Sequence, residues 1–283
     1  MANIYGVIGD PIAHSLSPLM HTDAFRSLNL DHCYFPFHVT SNHLEEAVKG
    51  MKVLGIAGFN VTIPHKTNII PLLDQIDPLA KAIGAVNTVV RENDSFVGYN
   101  SDGLGFIRSL KEEWKRELEK EKVLIIGAGG AAKAIFYSLV HDGVQAIDIC
   151  NRTTERAKQL VESCPYPSET NILTMDEAEK TLDSYSLIVQ TTSIGMSPNM
   201  NETPLSIHNI LPNTHVVDII YNPFETALLK AAKEKGASTS NGLGMFIYQG
   251  AIAFEKWTGK VPDVRRMKQI VINQLGGQQH VNR

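Results

Sequence analysis

Apolar positions in the first hundred residues fall into short runs separated by helix-length amphipathic stretches, a rhythm that reads as alternating strand and helix. Strand-type runs are predicted at Ile4 to Ile8, Cys33 to Val39 and Gly58 to Ile63, with helices from Pro18 to Leu30 and from His43 to Leu54 between them. The helix starts carry chemical marks: Ser17 is expected to cap the first helix with Pro18 in its first turn, and Asn42 with Glu45 has capping-box spacing. A further helix is expected to start at Pro64. Two β-rich runs, Val86 to Arg91 and Ser95 to Tyr99, flank Asn93-Asp94 and predict a hairpin, so this sheet should be mixed rather than purely parallel.

Between Lys111 and Lys122 charge is dense and loop-forming residues are missing, which predicts the solvated end of a long helix that begins near Gly103. The alternation then resumes through Val123 to Ile126, Ala131 to Asp142, Ala146 to Cys150, Thr153 to Ser163, Ser186 to Thr191 and Val216 to Ile219. This half reads as a doubly wound parallel sheet. After Gly242, apolar residues at Met245, Ile247, Tyr248, Ile252 and Trp257 predict a helix, and Arg265 to Leu275 another, both expected to pack back on the first half. A length of 283 residues favours two domains over one. The expected division is an α/β fold with a mixed α/β substrate domain at 1–102, completed by C-terminal helices over 243–283, and a second domain at 103–242.

Composition narrows the function. Hydrophobic residues at 43% and charged residues at 20% lie in the globular range. A formal charge of -4 without a long basic run offers no footprint for nucleic acid or an anionic membrane, so the expected partners are small molecules. No segment approaches the about 20 apolar residues of a membrane span, and the start lacks a secretion signal's pattern, so a cytoplasmic location is expected. Cys33, Cys150 and Cys164 form no C-x-x-C pair, and the histidines show no H-E-x-x-H spacing, so reduced thiols and no metal site are expected. A serine hydrolase is excluded in turn, because no G-x-S-x-G elbow accompanies His14-Ser15.

Gly127-Ala128-Gly129-Gly130-Ala131-Ala132 follows the apolar run Val123 to Ile126 and opens an alanine-rich helix, which is G-x-G-x-x-A in strand-turn-helix context. Gly127 permits the tight turn, Gly129 lets a pyrophosphate approach the backbone, and Ala132 lets helix and strand pack closely. The second domain is therefore expected to be a Rossmann-type dinucleotide-binding domain. An NAD site usually presents a carboxylate at the end of the next strand, roughly 20 residues past the glycines. Here that strand ends Asn151-Arg152-Thr153, with Arg156 one turn on. A guanidinium pairs with a 2′-phosphate that a carboxylate would repel, so NADP(H) is the expected cofactor.

Reduction of a ketone needs a proton donor at the nascent alkoxide and hydroxyl-binding groups around the substrate. Thr62 and Lys66 fall at the C-terminal edge of a buried-type strand, and Asn100-Ser101-Asp102-Gly103 closes the hairpin and starts a helix. Lys66 and Asp102 are candidates for a pair that shares a proton with substrate.

Eight separated motifs are similar to those of shikimate dehydrogenases over nearly the whole chain: Ser15-Leu16-Ser17-Pro18, Asn60-Val61-Thr62 with Pro64-His65-Lys66, Gly84-Ala85-Val86-Asn87-Thr88, Asn100-Ser101-Asp102-Gly103, the Gly127 turn, Asn151-Arg152-Thr153, Asp218-Ile219-Ile220-Tyr221-Asn222-Pro223, and Met245-Phe246-Ile247-Tyr248-Gln249-Gly250. The resemblance implies NADP-dependent, reversible reduction of 3-dehydroshikimate to shikimate across a cleft between two domains, on the route to chorismate and the aromatic amino acids. It implies Lys66 as the acid-base residue with Asp102 as partner, and substrate binding by Ser15, Ser17, Thr62, Lys66, Asn87, Asp102, Tyr221 and Gln249. Gly127, Ala128, Gly129, Gly130, Ala131, Asn151, Arg152, Thr153, Arg156, Ile219 and Gly242 make up the expected cofactor set.

Ser101 stands where the family more often has threonine, and Gln190-Thr191 where an asparagine-alanine pair often precedes Thr192. Thr192, Ser193 and Met196 are expected in a loop near the cofactor. Two rival readings share these features: a quinate/shikimate dehydrogenase that uses NAD, and a sensor that binds NADP or shikimate without turnover. Arg152 weighs against the first, and the presence of both Lys66 and Asp102 against the second. The sequence leaves open whether the chain acts alone or as a homodimer.

Overall fold

The computed structural model describes residues 2–281, and side chains as far as residue 276. Met1 and the last two residues of the expected 243–283 segment lie outside the described residues. In chain order the elements are β1 (Ile4–Gly9), α1 (Ser17–Ser27), β2 (Cys33–His38), α2 (Leu44–Val53), β3 (Gly58–Val61), β4 (Gln75–Ile76), α3 (Pro78–Ile83), β5 (Thr88–Glu92) and β6 (Ser95–Tyr99). There follow α4 (Asp102–Glu113), β7 (Val123–Ile126), α5 (Gly130–His141), β8 (Ile147–Cys150), α6 (Thr154–Glu162), β9 (Ile172–Leu173), α7 (Met175–Lys180), β10 (Leu187–Gln190), β11 (His215–Asp218), α8 (Ala227–Glu234), β12 (Ser238–Ser240), α9 (Leu243–Thr258) and α10 (Val264–Val281). Two compact units emerge, one of residues 1–101 with 247–283 and one of 102–246.

In the first unit a six-stranded sheet has the order β2-β1-β3-β5-β6-β4. β1 runs parallel to β2 and β3, whereas β5 is antiparallel to both β3 and β6, so the sheet is mixed. Glu92 pairs with Ser95 across the two-residue hairpin, and Asn93 takes the left-handed backbone at φ 55° that asparagine tolerates. Buried apolar residues such as Ile8, Phe59, Ile69, Val89 and Phe96 fill one face. From Ile247 on, the C-terminal helices belong to this unit: Arg266 of α10 forks onto Asp23 of α1 at 2.6 and 2.8 Å, and the Trp257 indole of α9 donates to the Val89 carbonyl at 2.9 Å.

All strands of the second unit are parallel, in the order β12-β11-β10-β7-β8-β9. The chain starts in the middle at β7, winds out through β8 and β9, then returns to the other side at β10, which puts the topological switch point between β7 and β10. Strands covered on both faces must be apolar throughout, and Val123, Leu124, Ile125 and Ile126 are all buried. Gly103 is the contact of α4 with α5, because a Cβ there would collide with Ser138 and the Ala134 carbonyl.

Four local expectations are corrected. α1 starts at Ser17 with no capping side chain, because the Ser15 hydroxyl upstream accepts the Ser17 N–H at 3.3 Å. Asn42 sits inside a 3-10 turn, Ser41–His43, and α2 begins at Leu44 uncapped, while Thr40 Oγ1 pairs with His43 Nδ1 at 2.9 Å. No helix starts at Pro64. The buried His65 ring is tied to the Val39 carbonyl at 2.5 Å and the Lys66 carbonyl takes the Val86 N–H at 2.8 Å, which holds the segment in turns. Finally, α4 stops at Glu113, since Trp114 and Leu118 are buried and Trp114 stacks on His215 at 5.3 Å, so the charged run turns inward instead of continuing as a solvated helix.

Candidate active site

Strand direction gathers the first set of polar residues. β1 and β3 end at the same sheet edge, antiparallel β5 begins there, and β6 ends there. Ser15 and Ser17 follow β1, Thr62 and Lys66 follow β3, Asn87 precedes β5, and Asn100 with Ser101 follows β6. Ser17 and Asn87 are buried, while Ser15, Thr62 and Lys66 are half-buried. Gln249 is half-buried on α9, one residue before Gly250, where a Cβ would collide with Met20 of α1.

Beneath that edge the short polar side chains interlock. Asn87 Oδ1 accepts from the Ser101 N–H at 2.8 Å, the Ser101 hydroxyl at 3.1 Å and the Thr88 hydroxyl at 3.0 Å. Asn60 Nδ2 donates to the Asn87 carbonyl at 3.1 Å and to Thr88 Oγ1 at 3.3 Å, and the Tyr34 hydroxyl donates to Asn60 Oδ1 at 2.7 Å. Burial pushes the Tyr34 hydroxyl well above its ordinary range, against a hydrogen bond with Ser17. His21 stacks on Tyr34 at 4.6 Å with both ring nitrogens lacking a partner among the described residues, and burial lowers its pKa to about 3.

The second unit carries a different kind of site. Gly127 has φ 112°, and a Cβ there would lie 2.6 Å from Thr191 Oγ1, so glycine is required both for conformation and for space. Gly129 and Gly130 face open space at the start of α5, while Ala132 is buried against the sheet. First-turn N–H groups beside such a clearing suit a pyrophosphate. Asn151, Arg152 and Thr153 follow β8, and Arg156 lies in α6; Arg152 and Arg156 are exposed, with neither guanidinium in a side-chain hydrogen bond or ion pair among the described residues. The residues present therefore fit a dinucleotide with a further phosphate. Thr192, Ser193 and Met196 lie in the loop after β10.

At the end of β11, fully buried Asp218 accepts from the Ile220 N–H at 3.0 Å and the Thr226 hydroxyl at 2.7 Å, and burial pushes its pKa up to about 6. Those bonds hold the turn bearing Ile219 and Tyr221; burial raises the Tyr221 hydroxyl, whose ring packs on Phe246 at 5.3 Å. A Cβ at Gly242 would collide with the Ile219 carbonyl, so the backbones touch there. Asp102 opens α4.

Asn60, Thr88, Tyr34 and Gln190 have structural parts that reading the chain did not assign. Their signal was a polar residue inside or ending an otherwise apolar strand, as at Asn60, 6% exposed, and Gln190, 0% exposed. Among the described residues no group of histidine, cysteine or acidic side chains could hold a metal ion, and no helix is long and apolar enough to cross a membrane.

Family models match three stretches: the shikimate dehydrogenase substrate binding domain at residues 7–89, shikimate / quinate 5-dehydrogenase at 109–219, and the shikimate 5'-dehydrogenase C-terminal domain at 242–272. A curated relative from Bacillus cereus named shikimate dehydrogenase (NADP(+)) is 54% identical over 277 residues, covering 98% of this chain and 100% of the relative. The crystal structure of shikimate 5-dehydrogenase from Listeria monocytogenes in complex with shikimate and NAD superposes with a TM-score of 0.91 at 38% identity, covering 95% of this chain and 96% of that one. That of the Thermus thermophilus enzyme in complex with NADP(H) and shikimate gives 0.86 at 33% identity, over 96% and 99%.

Proposed function

We propose that this chain, which belongs to the shikimate dehydrogenase family, catalyses the reversible, NADP-dependent reduction of 3-dehydroshikimate to shikimate. That step lies on the route to chorismate and the aromatic amino acids. The observation that carries the reading is the single sheet edge that gathers Ser15, Ser17, Thr62, Lys66 and Asn87. A polyhydroxylated acid is recognised by many short polar groups, and sites built to hydrogen-bond hydroxyls reject analogues that lack them.

Bound NADPH supplies the hydride for the reduction. Lys66 is assigned to protonate the substrate oxygen as it becomes an alkoxide, and to take that proton back in the reverse direction. Asp102 is the second assigned catalytic residue, the partner of Lys66 in this proton transfer. Ser15, Ser17, Thr62, Asn87, Tyr221 and Gln249 are the remaining substrate-binding assignments. For the cofactor, Gly127, Ala128, Gly129, Gly130 and Ala131 line the pyrophosphate, Arg152 and Arg156 take the 2′-phosphate, and Asn151, Thr153, Ile219 and Gly242 complete the set. A cytoplasmic location is a further expectation, from three cysteines whose number and spacing suggest no disulfide framework. Homodimerisation is the further expectation, read by light scattering of the purified chain.

The test is reduced-nicotinamide absorbance with shikimate and quinate, each with NADP and with NAD. Fast turnover with shikimate and NADP alone is expected. Comparable rates with quinate or NAD would make it the broader dehydrogenase, and binding without turnover would make it a sensor.

A further inference from the structure

We infer that Gln190 is a positioning residue for NADP(H) binding, shaping the loop wall beside the glycine turn; this rests on the function proposed above and deepens it. Gln190 ends β10 at the switch point, paired in register with Ile126 of β7 on one side and Asp218 of β11 on the other. It is 0% exposed, so its polar side chain must be satisfied internally. Nε2 donates to the carbonyls of Thr192 and Ile194, both at 3.1 Å, and Oε1 accepts the Thr192 N–H at 2.5 Å. The amide has one possible orientation, since a flip would set donor against donor and oxygen against two carbonyls.

The clamped segment is tied to the cofactor turn at its other end. The Thr191 N–H and hydroxyl both donate to the Ile126 carbonyl, at 2.9 and 2.7 Å. Thr191 Oγ1 and Thr192 Cγ2 occupy the space beside Gly127, within 2.6 and 2.9 Å of where a Cβ would stand. Within the loop, Thr192 Oγ1 accepts the Ile194 N–H at 3.2 Å. Gln190 thus fixes the backbone of residues that form a wall against the Gly127 turn, and it makes no use of charge or exposed surface to do so. An asparagine is one methylene shorter, so it is expected to keep only part of the three-bond clamp that the glutamine makes.

The experiment is fluorescence titration of NADPH and calorimetric titration of shikimate against the full chain and its Gln190→Met and Gln190→Asn variants, with melting temperatures alongside. Methionine keeps the volume and removes all three bonds. The expected result is a roughly tenfold weaker NADPH affinity for Gln190→Met and about threefold for Gln190→Asn, with shikimate affinity within about twofold of the unaltered chain. NADPH affinity unchanged in Gln190→Met overturns the inference, as does an equal weakening of both ligands that follows the melting temperature. If Gln190→Met does not fold, Gln190→Asn decides by the same criteria. An unaltered chain that fails to bind NADPH overturns the proposed function and this inference together, whereas normal NADPH binding by the unaltered chain and by Gln190→Met overturns only the inference.

Discussion

The polar sheet edge of the first unit and the glycine turn of the second, the substrate and cofactor sites proposed above, are prepared in opposite ways. The first is crowded, with Asn60, Asn87, Thr88 and Ser101 bonded to one another before any ligand arrives. The second is cleared, with open space at Gly129 and Gly130 and side-chain partners missing from Arg152 and Arg156 among the described residues. A small polyol needs donors and acceptors fixed at short range, and interlocking them in advance removes the entropy cost of ordering them on binding. A large polyanion needs room at a backbone and a charge that can reach it. The contrast teaches that buried hydrogen bonds and missing atoms can be equally specific forms of preorganisation.

The largest expected effect tests where chemistry resides. Lys66→Ala should lower kcat by about 10³-fold while shikimate and NADPH still bind; full turnover in that variant would remove the acid-base role from the first unit. Next comes the cleared site. Arg152→Ala should raise KM for NADP by roughly 30-fold and leave KM for NAD within about twofold, because a charge-assisted phosphate contact is lost and nothing else. Equal changes for both cofactors would show that Arg152 does not read the extra phosphate.

The crowded site should respond in stability as well as in binding. Asn87→Ala strands the Ser101 N–H and takes one acceptor from the Thr88 and Ser101 hydroxyls, which keep their bond to each other at 3.1 Å, so denaturant titration should show a loss of about 2 kcal/mol together with a raised shikimate KM. A change in KM without loss of stability would mean that the interlock contributes little to holding the edge. The smallest effect is a pH dependence of opposite sign in the two units. His21, held near pKa 3 by burial, adds stability that is full above its unfolded value near 6.5 and is lost as pH falls from there toward 3. His21→Phe should therefore gain on the unaltered chain by about 1 kcal/mol as pH drops from 7 to 5.5. Asp218, raised to about 6, adds stability present below about 4 and lost as pH rises through 6. Asp218→Asn should thus flatten that interval instead. Melting curves at stepped pH read both, and identical pH profiles for the two variants would refute the assignment of opposite signs.

Much of this was legible in the chain because the determinants are local. Val123 to Ile126 is a parallel strand buried on both faces, and such a strand can only be an unbroken apolar run, so β7 and the turn after it stand out. The hairpin at Asn93-Asp94 was visible for the same reason. What escaped depends on partners distant in sequence. Trp114 and Leu118 are hidden in a charged stretch and are drawn inward by residues such as His215, a hundred positions away, so no local rule would end α4 at Glu113. Short elements such as β4 and α3, the latter capped by Asp77, are too brief to show a period. The candidate site divides likewise. Lys66, Asp102 and the glycines carry motif signals, but the pairing of Asn60 with Thr88 is a matter of register between antiparallel strands. Sequence spacing does not encode it.

The network around Asn87 has one further consequence. Its members are amides and aliphatic hydroxyls, together with a phenol whose ionisation burial has driven far upward. None of them gains or loses a proton near neutral pH, so the network keeps one polarity as the acidity of its surroundings changes. On the function proposed above, the edge offers shikimate the same hydrogen bonds throughout that range, so acidity does not alter which molecule it recognises.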